Sequence, residues 1–154
     1  MSTRVSTIRV SGWIERTLVD LLDPSVYADG TDRETSLLSY SDAFRDHLAN
    51  PRNAGELSDA NAVAEETNPV CGDRLRLSLR LRDGQIEAVR FLAYGCPPTL
   101  ACGSALAEMI EGKSIDSALK LNRSDIAAVL GGLSSRKQHA AALAIDTLRS
   151  ALDR

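Results

Sequence analysis

The chain has 154 residues, of which 44% are hydrophobic and 25% are charged, an ordinary composition for one globular domain with a single core. Its formal net charge of −3 argues against a nucleic-acid partner, and no apolar run approaches membrane-spanning length. The three cysteines form an odd set, which argues against a disulfide framework and favours a reducing compartment. We therefore expect a cytoplasmic protein and consider the mitochondrial matrix the weaker alternative.

Residues 1–38 have the character of an N-terminal extension. Apolar residues at helical spacing predict a short helix that ends at Pro24. These residues are Val10, Trp13, Ile14, Leu18, Leu21 and Leu22. We expect this helix to pack on the body of the protein, and docking to a partner is the alternative. The polar stretch 24–38 would link it to a domain at 39–154.

The domain opens with a helix and continues with strands. Ser41 is placed to cap the helix, which ends at Pro51. The sequence LRLSLRL (75–81) alternates strictly between apolar and polar residues, which predicts a half-buried strand. Asp83-Gly84 predicts a two-residue hairpin turn, after which 86–94 returns as the partner strand.

Helical patterns fill the rest of the chain. One helix runs from the prolines after Cys96 to about Ile110, two short capped segments follow, and a last helix spans about Ser135 to Leu152. Together with a short strand at 62–67, this order of strands first and helices second predicts an α+β fold. A small antiparallel sheet of about three strands would carry helices on one face.

The hairpin topology brings potential ligands together. Cys71 and Asp73 share a turn with Gly72 just before the first hairpin strand, and Cys96 follows the second strand. Because the start of one hairpin strand lies beside the end of the other, we expect Cys71, Asp73 and Cys96 to meet at one edge of the sheet.

A further ligand is expected from the last helix. His139 lies in its first turn, away from the apolar stripe of that helix, so it is either a ligand or an exposed residue at a helix start. Two thiolates, one imidazole and one carboxylate suit Zn²⁺, or iron with sulfide.

Two other residues of metal-binding type are interpreted as structural. His47 lies at the end of a short helix, where the helix dipole favours a cation. Cys102 falls on an apolar stripe with Leu106 and Ile110, which indicates a buried small side chain. As a ligand, Cys102 would require the loop at Cys96 to fold back, since six helical residues rise about 9 Å.

Several motifs together resemble the iron–sulfur cluster assembly scaffold family, which includes IscU and the N-terminal domain of NifU. They begin with DHxxNPRNxGEL (46–57), NPVCGD (68–73) and FLAYGC (91–96). The resemblance continues through ACGSALAEMIEGKSIDSAL and LSSRKQHAAALAIDTLRSAL, and covers about 39–152 in one register. It implies the scaffold fold and iron–sulfur cluster assembly as the function.

The resemblance also implies the ligands. NPVCGD matches the family's ligand cysteine and aspartate at Cys71 and Asp73, and the YGC cysteine is matched by Cys96. The family's last helix begins with Lys-x-His-Cys, which Lys137 and His139 match. The implied cargo is iron or a [2Fe-2S] cluster, with zinc in the same site as the alternative. The implied partners are a cysteine desulfurase and acceptor apo-proteins.

Three features of the sequence depart from the family pattern. Ala140 replaces the third cysteine, which in the family is a cluster ligand and is implicated in receiving sulfur. LSSRK (133–137) replaces the LPPVK chaperone-recognition motif, and the lack of both prolines argues against chaperone docking there. Pro97-Pro98 replaces small flexible residues and should restrict Cys96.

Three functions remain open at this point. The favoured one is a scaffold, not an enzyme, that uses Cys71, Asp73, Cys96 and His139, with compensation for Ala140 by Cys102 as one variant. The second is a non-assembling relative that binds zinc or iron and acts as a regulator or partner-binding module. The third is a protein that carries a persulfide on Cys71 or Cys96.

Overall fold

The computed structural model describes residues 41–153. The extension expected at 1–38, with its helix, lies outside the described residues. Within 41–153 the chain forms a three-stranded antiparallel sheet with helices packed against it, so the predicted α+β class is confirmed. In this part of the chain, no helix combines the length and apolar character needed to cross a membrane.

The sheet contains β1 (Ala62–Thr67), β2 (Arg74–Arg82) and β3 (Gln85–Tyr94), in that spatial order. Alternation along β2 divides its two faces as predicted, because its leucines at 75, 77 and 79 are buried while the arginines at its ends are exposed. Asp83 and Gly84 connect β2 to β3 with positive φ values of 54° and 76°. These values are typical of the two-residue hairpin turn that Asp-Gly predicts.

Five α-helices and one 3₁₀ turn complete the described chain: α1 (Asp42–Ala49), α2 (Pro97–Ile110), α3 (Ile115–Leu119), α4 (Arg123–Val129), the 3₁₀ turn (Ser135–Lys137) and α5 (Gln138–Leu152). Helix α2 packs on β3, and α5 packs on β1 and β2. The two helices also contact each other. The core therefore lies between the leucine-bearing face of the sheet and these two helices.

Local sequence signals account for where the helices begin. The Ser41 side chain accepts a hydrogen bond from the Phe44 backbone N–H, as expected of a helix cap. Pro97 and Pro98 are the first two residues of α2, where a missing N–H costs nothing and a fixed φ assists the start. Cys96 before them is extended, with φ −79° and ψ 163°, as its proline neighbour favours.

The register of the hairpin positions the candidate site. Arg74, the first residue of β2, pairs with Tyr94, the last residue of β3. Asp73 and Gly95 therefore leave the sheet side by side, and Cys96 follows at the start of α2. Because α5 crosses β1 and β2, its first turn can approach the same edge of the sheet.

Candidate functional site

The turn from Asn68 to Asp73 connects β1 to β2 and carries two of the predicted ligands. The Asn68 side-chain oxygen accepts hydrogen bonds from the backbone N–H groups of Val70, at 2.8 Å, and Cys71, at 3.4 Å. The Gly72 N–H then donates to the Asn68 carbonyl at 2.8 Å, and Gly72 has φ +78°, a conformation that favours glycine. The turn leaves Cys71 exposed and buries Asp73.

The Asp73 carboxylate is held by the residues that begin α2. Its Oδ2 accepts a hydrogen bond from the Thr99 hydroxyl at 2.7 Å and another from the Cys96 thiol at 2.8 Å. The Cys96 backbone N–H donates to the same oxygen at 3.4 Å. On its other side the carboxylate lies against Gly95, where an added Cβ would come within 2.2 Å of Oδ1.

This environment gives the carboxylate and the thiol opposite charge states. Burial opposes ionisation of Asp73, but hydrogen bonds from Cys96, Thr99 and Cys71 outweigh it, so the pKa of Asp73 lies below its ordinary value. Burial, together with the neighbouring Asp73, raises the pKa of Cys96 to about 11. At neutral pH the carboxylate is therefore ionised, while the thiol keeps its proton until a cation displaces it.

Three of the four predicted ligands converge in space. One ligand atom each from Cys71, Asp73 and His139 lies within 4.8 Å of the other two. His139 is half-buried and is the second residue of α5. Donors on one tetrahedral ion with bonds of about 2.0–2.3 Å lie roughly 3–4 Å apart, so a shift of about 1 Å would let these atoms share an ion.

Cys96 adjoins this group without belonging to it. Its sulfur is 2.8 Å from Asp73 and 3.5 Å from the Thr99 hydroxyl, but it is not among the atoms that lie within 4.8 Å of one another. The thiol is half-buried at the N-cap of α2. A rotation of this side chain from Asp73 toward the ion would complete a set of two sulfurs, one nitrogen and one oxygen.

Cys102 and Ala140 are both buried in the core. Cys102 has no solvent exposure, and burial raises the pKa of its thiol, as expected of a small apolar residue in α2. Ala140 is also fully buried, beside His139 in α5.

One expectation about His47 is wrong. The helix end was expected to favour a cation there, but His47 is only 4% exposed and burial lowers its pKa, so the neutral ring is favoured. Its Nδ1 lies 2.7 Å from the Ser104 hydroxyl in α2. His47 is a packed residue in the joint between α1 and α2, which agrees with its structural interpretation.

Sequence reasoning missed two residues that shape the site. Thr99 contacts Asp73 across 26 positions of the chain, and Gly95 provides the space in which the carboxylate lies. The available signals were weak: a glycine at the end of a strand, and a threonine three residues after a cysteine. Neither signal shows which residue will be contacted, because each contact depends on how α2 packs against the β1–β2 turn.

Chemically, the site offers one exposed thiol, one ionised carboxylate, one imidazole and an adjacent protonated thiol at the surface of a small α+β domain. A donor set of this kind suits a soft or borderline cation such as Zn²⁺ or iron, and thiolates are the usual ligands of iron–sulfur clusters. The fold and the site therefore define a small α+β domain with a candidate site for a metal ion or cluster.

Comparison with known proteins identifies the family. The sequence model for the NifU-like N terminal domain matches residues 39–154, and the chain belongs to this family. The iron-sulfur cluster assembly scaffold protein IscU 1 of Archaeoglobus fulgidus is 43% identical over 113 residues, which cover 73% of this chain and 74% of that protein. The IscU scaffold protein of Aquifex aeolicus is 42% identical over 115 residues, which cover 73% of each chain.

Solved structures show the same fold. The structure described as a putative iron-sulfur cluster assembly scaffold protein for the SUF system, from Fervidobacterium islandicum, superposes with a TM-score of 0.64 and 23% identity and covers 76% of this chain and 98% of its own. The N-terminal NifU-like protein of Brucella abortus gives a TM-score of 0.59 at 19% identity, over 73% and 91% of the two chains. The expected scaffold fold is thereby confirmed.

Proposed function

We propose that this protein is an iron–sulfur cluster assembly scaffold that holds iron or a [2Fe-2S] cluster as cargo for transfer to acceptor apo-proteins. The observation that carries the proposal is the convergence of Cys71, Asp73 and His139 within 4.8 Å, with the Cys96 sulfur against Asp73. Membership of the NifU-like N-terminal family and relatives named as scaffolds support it.

Each ligand would have a distinct part in holding the cargo. The exposed Cys71 is where iron or sulfur can first be delivered. The ionised Asp73 supplies a fixed negative charge, and His139 supplies a nitrogen ligand from α5. Cys96 would join last, because its thiol must give up both its proton and its hydrogen bond to Asp73.

The implied sulfur source is a cysteine desulfurase, and the lack of a cysteine at position 140 bears on how sulfur enters. Among the three thiols, Cys71 is exposed, whereas Cys96 is half-buried and Cys102 is buried. This difference favours a second candidate function, in which Cys71 carries sulfur as a persulfide. If this function is correct, the mass of Cys71 should increase by one sulfur after incubation with a desulfurase and free cysteine. An unmodified Cys71 would reject it.

The first experiment is the content of iron, zinc and acid-labile sulfide in protein purified without oxygen, together with a visible absorption spectrum. For a scaffold we expect iron and sulfide in equal amounts, lost in Cys71→Ala and in Cys96→Ala. Cys102→Ala is the matched control, since it removes a thiol outside the site, and its cluster should persist.

One other result would reject the proposal, and a second would revise its set of ligands. Zinc without sulfide, unchanged after attempted reconstitution, would favour the non-assembling relative that binds zinc or iron as a regulator or partner-binding module. A cluster lost in Cys102→Ala, with the fold intact, would mean that Cys102 compensates for the missing cysteine.

A further inference from the structure

The Thr99 hydroxyl occupies a specific place behind the proposed ligands. Thr99 is the third residue of α2 and is only 1% exposed. Its Oγ1 lies 2.7 Å from Asp73 Oδ2 and 3.5 Å from the Cys96 sulfur. One buried hydroxyl therefore contacts two of the residues proposed to hold the cargo, without being a metal ligand of common type.

The direction of the hydrogen bonds follows from the chemistry of the groups. An ionised carboxylate only accepts, so the single hydroxyl proton of Thr99 is donated to Asp73 Oδ2. The Cys96 thiol donates to the same oxygen at 2.8 Å. Asp73 Oδ2 therefore has two side-chain donors, Thr99 and Cys96.

Cargo binding removes one of these donors. A cysteine binds a metal through its thiolate, so Cys96 can no longer donate to Asp73 once its sulfur joins the site. The hydrogen bond from the Cys96 sulfur to Asp73 Oδ2 is then lost, because a thiolate has no proton to donate. The Cys96 N–H, at 3.4 Å, is a weak remaining donor, which leaves Thr99 as the main group that holds Oδ2.

We propose that Thr99 is a positioning residue that keeps the Asp73 carboxylate aimed at the site when Cys96 leaves it to bind the cargo. This inference rests on the proposed function, because it requires that Asp73 and Cys96 take part in holding a cation. Groups of this kind fix the orientation of a ligand, and their loss weakens metal binding by about 10–100-fold.

The local backbone supports this role. Pro97 and Pro98 restrict the turn before Thr99, and the Thr99 N–H donates to the Cys96 carbonyl at 3.0 Å. The hydroxyl is thus held by a stiff helix start and directed to a different element. Thr147 is different, since its buried hydroxyl donates to Leu143, in its own helix α5, at 2.7 Å.

The test is the affinity of the full chain for Co²⁺, followed by its thiolate charge-transfer absorption, in wild type, Thr99→Val and Thr99→Ser. We expect the dissociation constant of Thr99→Val to rise about 10–100-fold and that of Thr99→Ser to stay within about threefold of wild type. Thr147→Val is the matched control, because it also removes a buried threonine hydroxyl, and its affinity should not change.

A double-mutant cycle separates positioning from general damage. If Thr99 acts through Asp73, Thr99→Val should cause no further loss of Co²⁺ affinity in an Asp73→Ala background. An equal further loss in that background would overturn the inference. If Thr99→Val fails to fold, Thr99→Ala, which leaves room for a water molecule, takes its place in both the direct comparison and the cycle.

The outcomes distinguish this inference from the proposed function. If wild type binds Co²⁺ through its thiolates and Thr99→Val binds equally well, the positioning role is wrong and the proposed function stands. If wild type shows no thiolate-bound Co²⁺, the positioning role is wrong, because no cation then occupies the site that Thr99 would serve, and the iron and sulfide content decides the proposed function separately.

Discussion

The Asp73 carboxylate depends on the absence of a side chain at position 95. Gly95 has φ +140°, and a Cβ there would come within 2.9 Å of three Asp73 atoms. The carboxylate would have to move, and with it the hydrogen bonds to Thr99 and Cys96. The glycine therefore shapes the site although it offers no ligand.

Gly95→Ala should weaken Zn²⁺ binding and lower stability. Gly112→Ala is the matched control, because Gly112 also has a positive φ but a Cβ there meets nothing within 4 Å. Both variants should lose about 1–2 kcal/mol from backbone strain, and only Gly95→Ala should also lose metal affinity. Calorimetric titration and denaturant unfolding provide the two quantities. Equal metal affinity in both variants would contradict the packing argument.

A substitution at position 140 tests how much the missing thiol limits cluster assembly. Ala140→Cys should increase the yield of reconstituted cluster, because it restores a potential ligand next to His139, and a cysteine is compatible with a buried position. Ala140→Ser is the control for size. The readout is iron and sulfide per chain after reconstitution. An unchanged yield in Ala140→Cys would show that the buried position does not reach the cargo.

The joint between α1 and α2 contains a buried polar contact. His47 Nδ1 meets the Ser104 hydroxyl, which also accepts the Arg52 backbone N–H at 2.8 Å. Glu108 approaches the other ring nitrogen of His47 at 3.6 Å. The joint secures α2, whose first residues hold Asp73, to the segment that precedes the sheet.

This joint should make stability depend on pH. Burial lowers the pKa of His47 in the folded state, so the unfolded chain binds more protons at pH values below about 6.5. The contribution of the neutral ring is fully present above that pH and is lost as the pH falls toward the folded pKa. Desolvation and the positive charge of Arg52 both lower the pKa of His47, and together they outweigh the carboxylates of Glu108 and Asp46, which raise it.

Replacement of His47 should remove this dependence. His47→Gln should be less stable than wild type at pH 7.5, by about 1–2 kcal/mol for a lost buried hydrogen bond, and should lose less stability between pH 7.5 and 5.5. Thr147→Val is the control, because it removes a buried hydrogen bond without removing a titratable group, and it should keep the wild-type dependence. Denaturant unfolding at each pH measures this. Parallel curves for wild type and His47→Gln would refute the assignment.

At the scale of the whole molecule, the site joins three parts of the fold. Cys71 and Asp73 come from the β1–β2 turn, Cys96 from the start of α2 and His139 from the start of α5. A bound ion would therefore connect elements that are distant in sequence and would stabilise the folded state by mass action.

Zn²⁺ should raise the Tm of the full chain by several degrees. At a free concentration about 100 times the dissociation constant, the added stability is about 2.7 kcal/mol. The shift should disappear in Cys71→Ala. Cys102→Ser should lower the Tm, because it buries a hydroxyl in the core at a cost of about 1–3 kcal/mol, but the Zn²⁺ shift should remain. A shift that survives in Cys71→Ala would place the zinc elsewhere.

The domain boundary gives a second prediction at this scale. We propose that residues 39–154 form the scaffold domain, and deletion of 1–38 should leave cooperative unfolding and Zn²⁺ affinity intact. Circular dichroism during thermal unfolding tests this. A truncated chain that does not fold cooperatively would instead mean that the extension is part of the core.

The sequence by itself determined the elements and one edge of the site. Strict alternation along β2 and the Asp-Gly turn specify a hairpin through local backbone preferences, and the hairpin places Asp73 beside Gly95 and Cys96. Such signals lie within a few residues of the structure they specify, and for this reason they can be read from one chain.

The tertiary structure alone decided which groups meet. Only the packing of α5 on β1 and β2 brings His139 to Cys71, and only the placement of α2 brings Thr99 to Asp73. The same packing buries His47, although its local position favours a charged ring. These contacts join residues far apart in sequence, and side-chain packing selects among many pairings that local patterns leave equally acceptable.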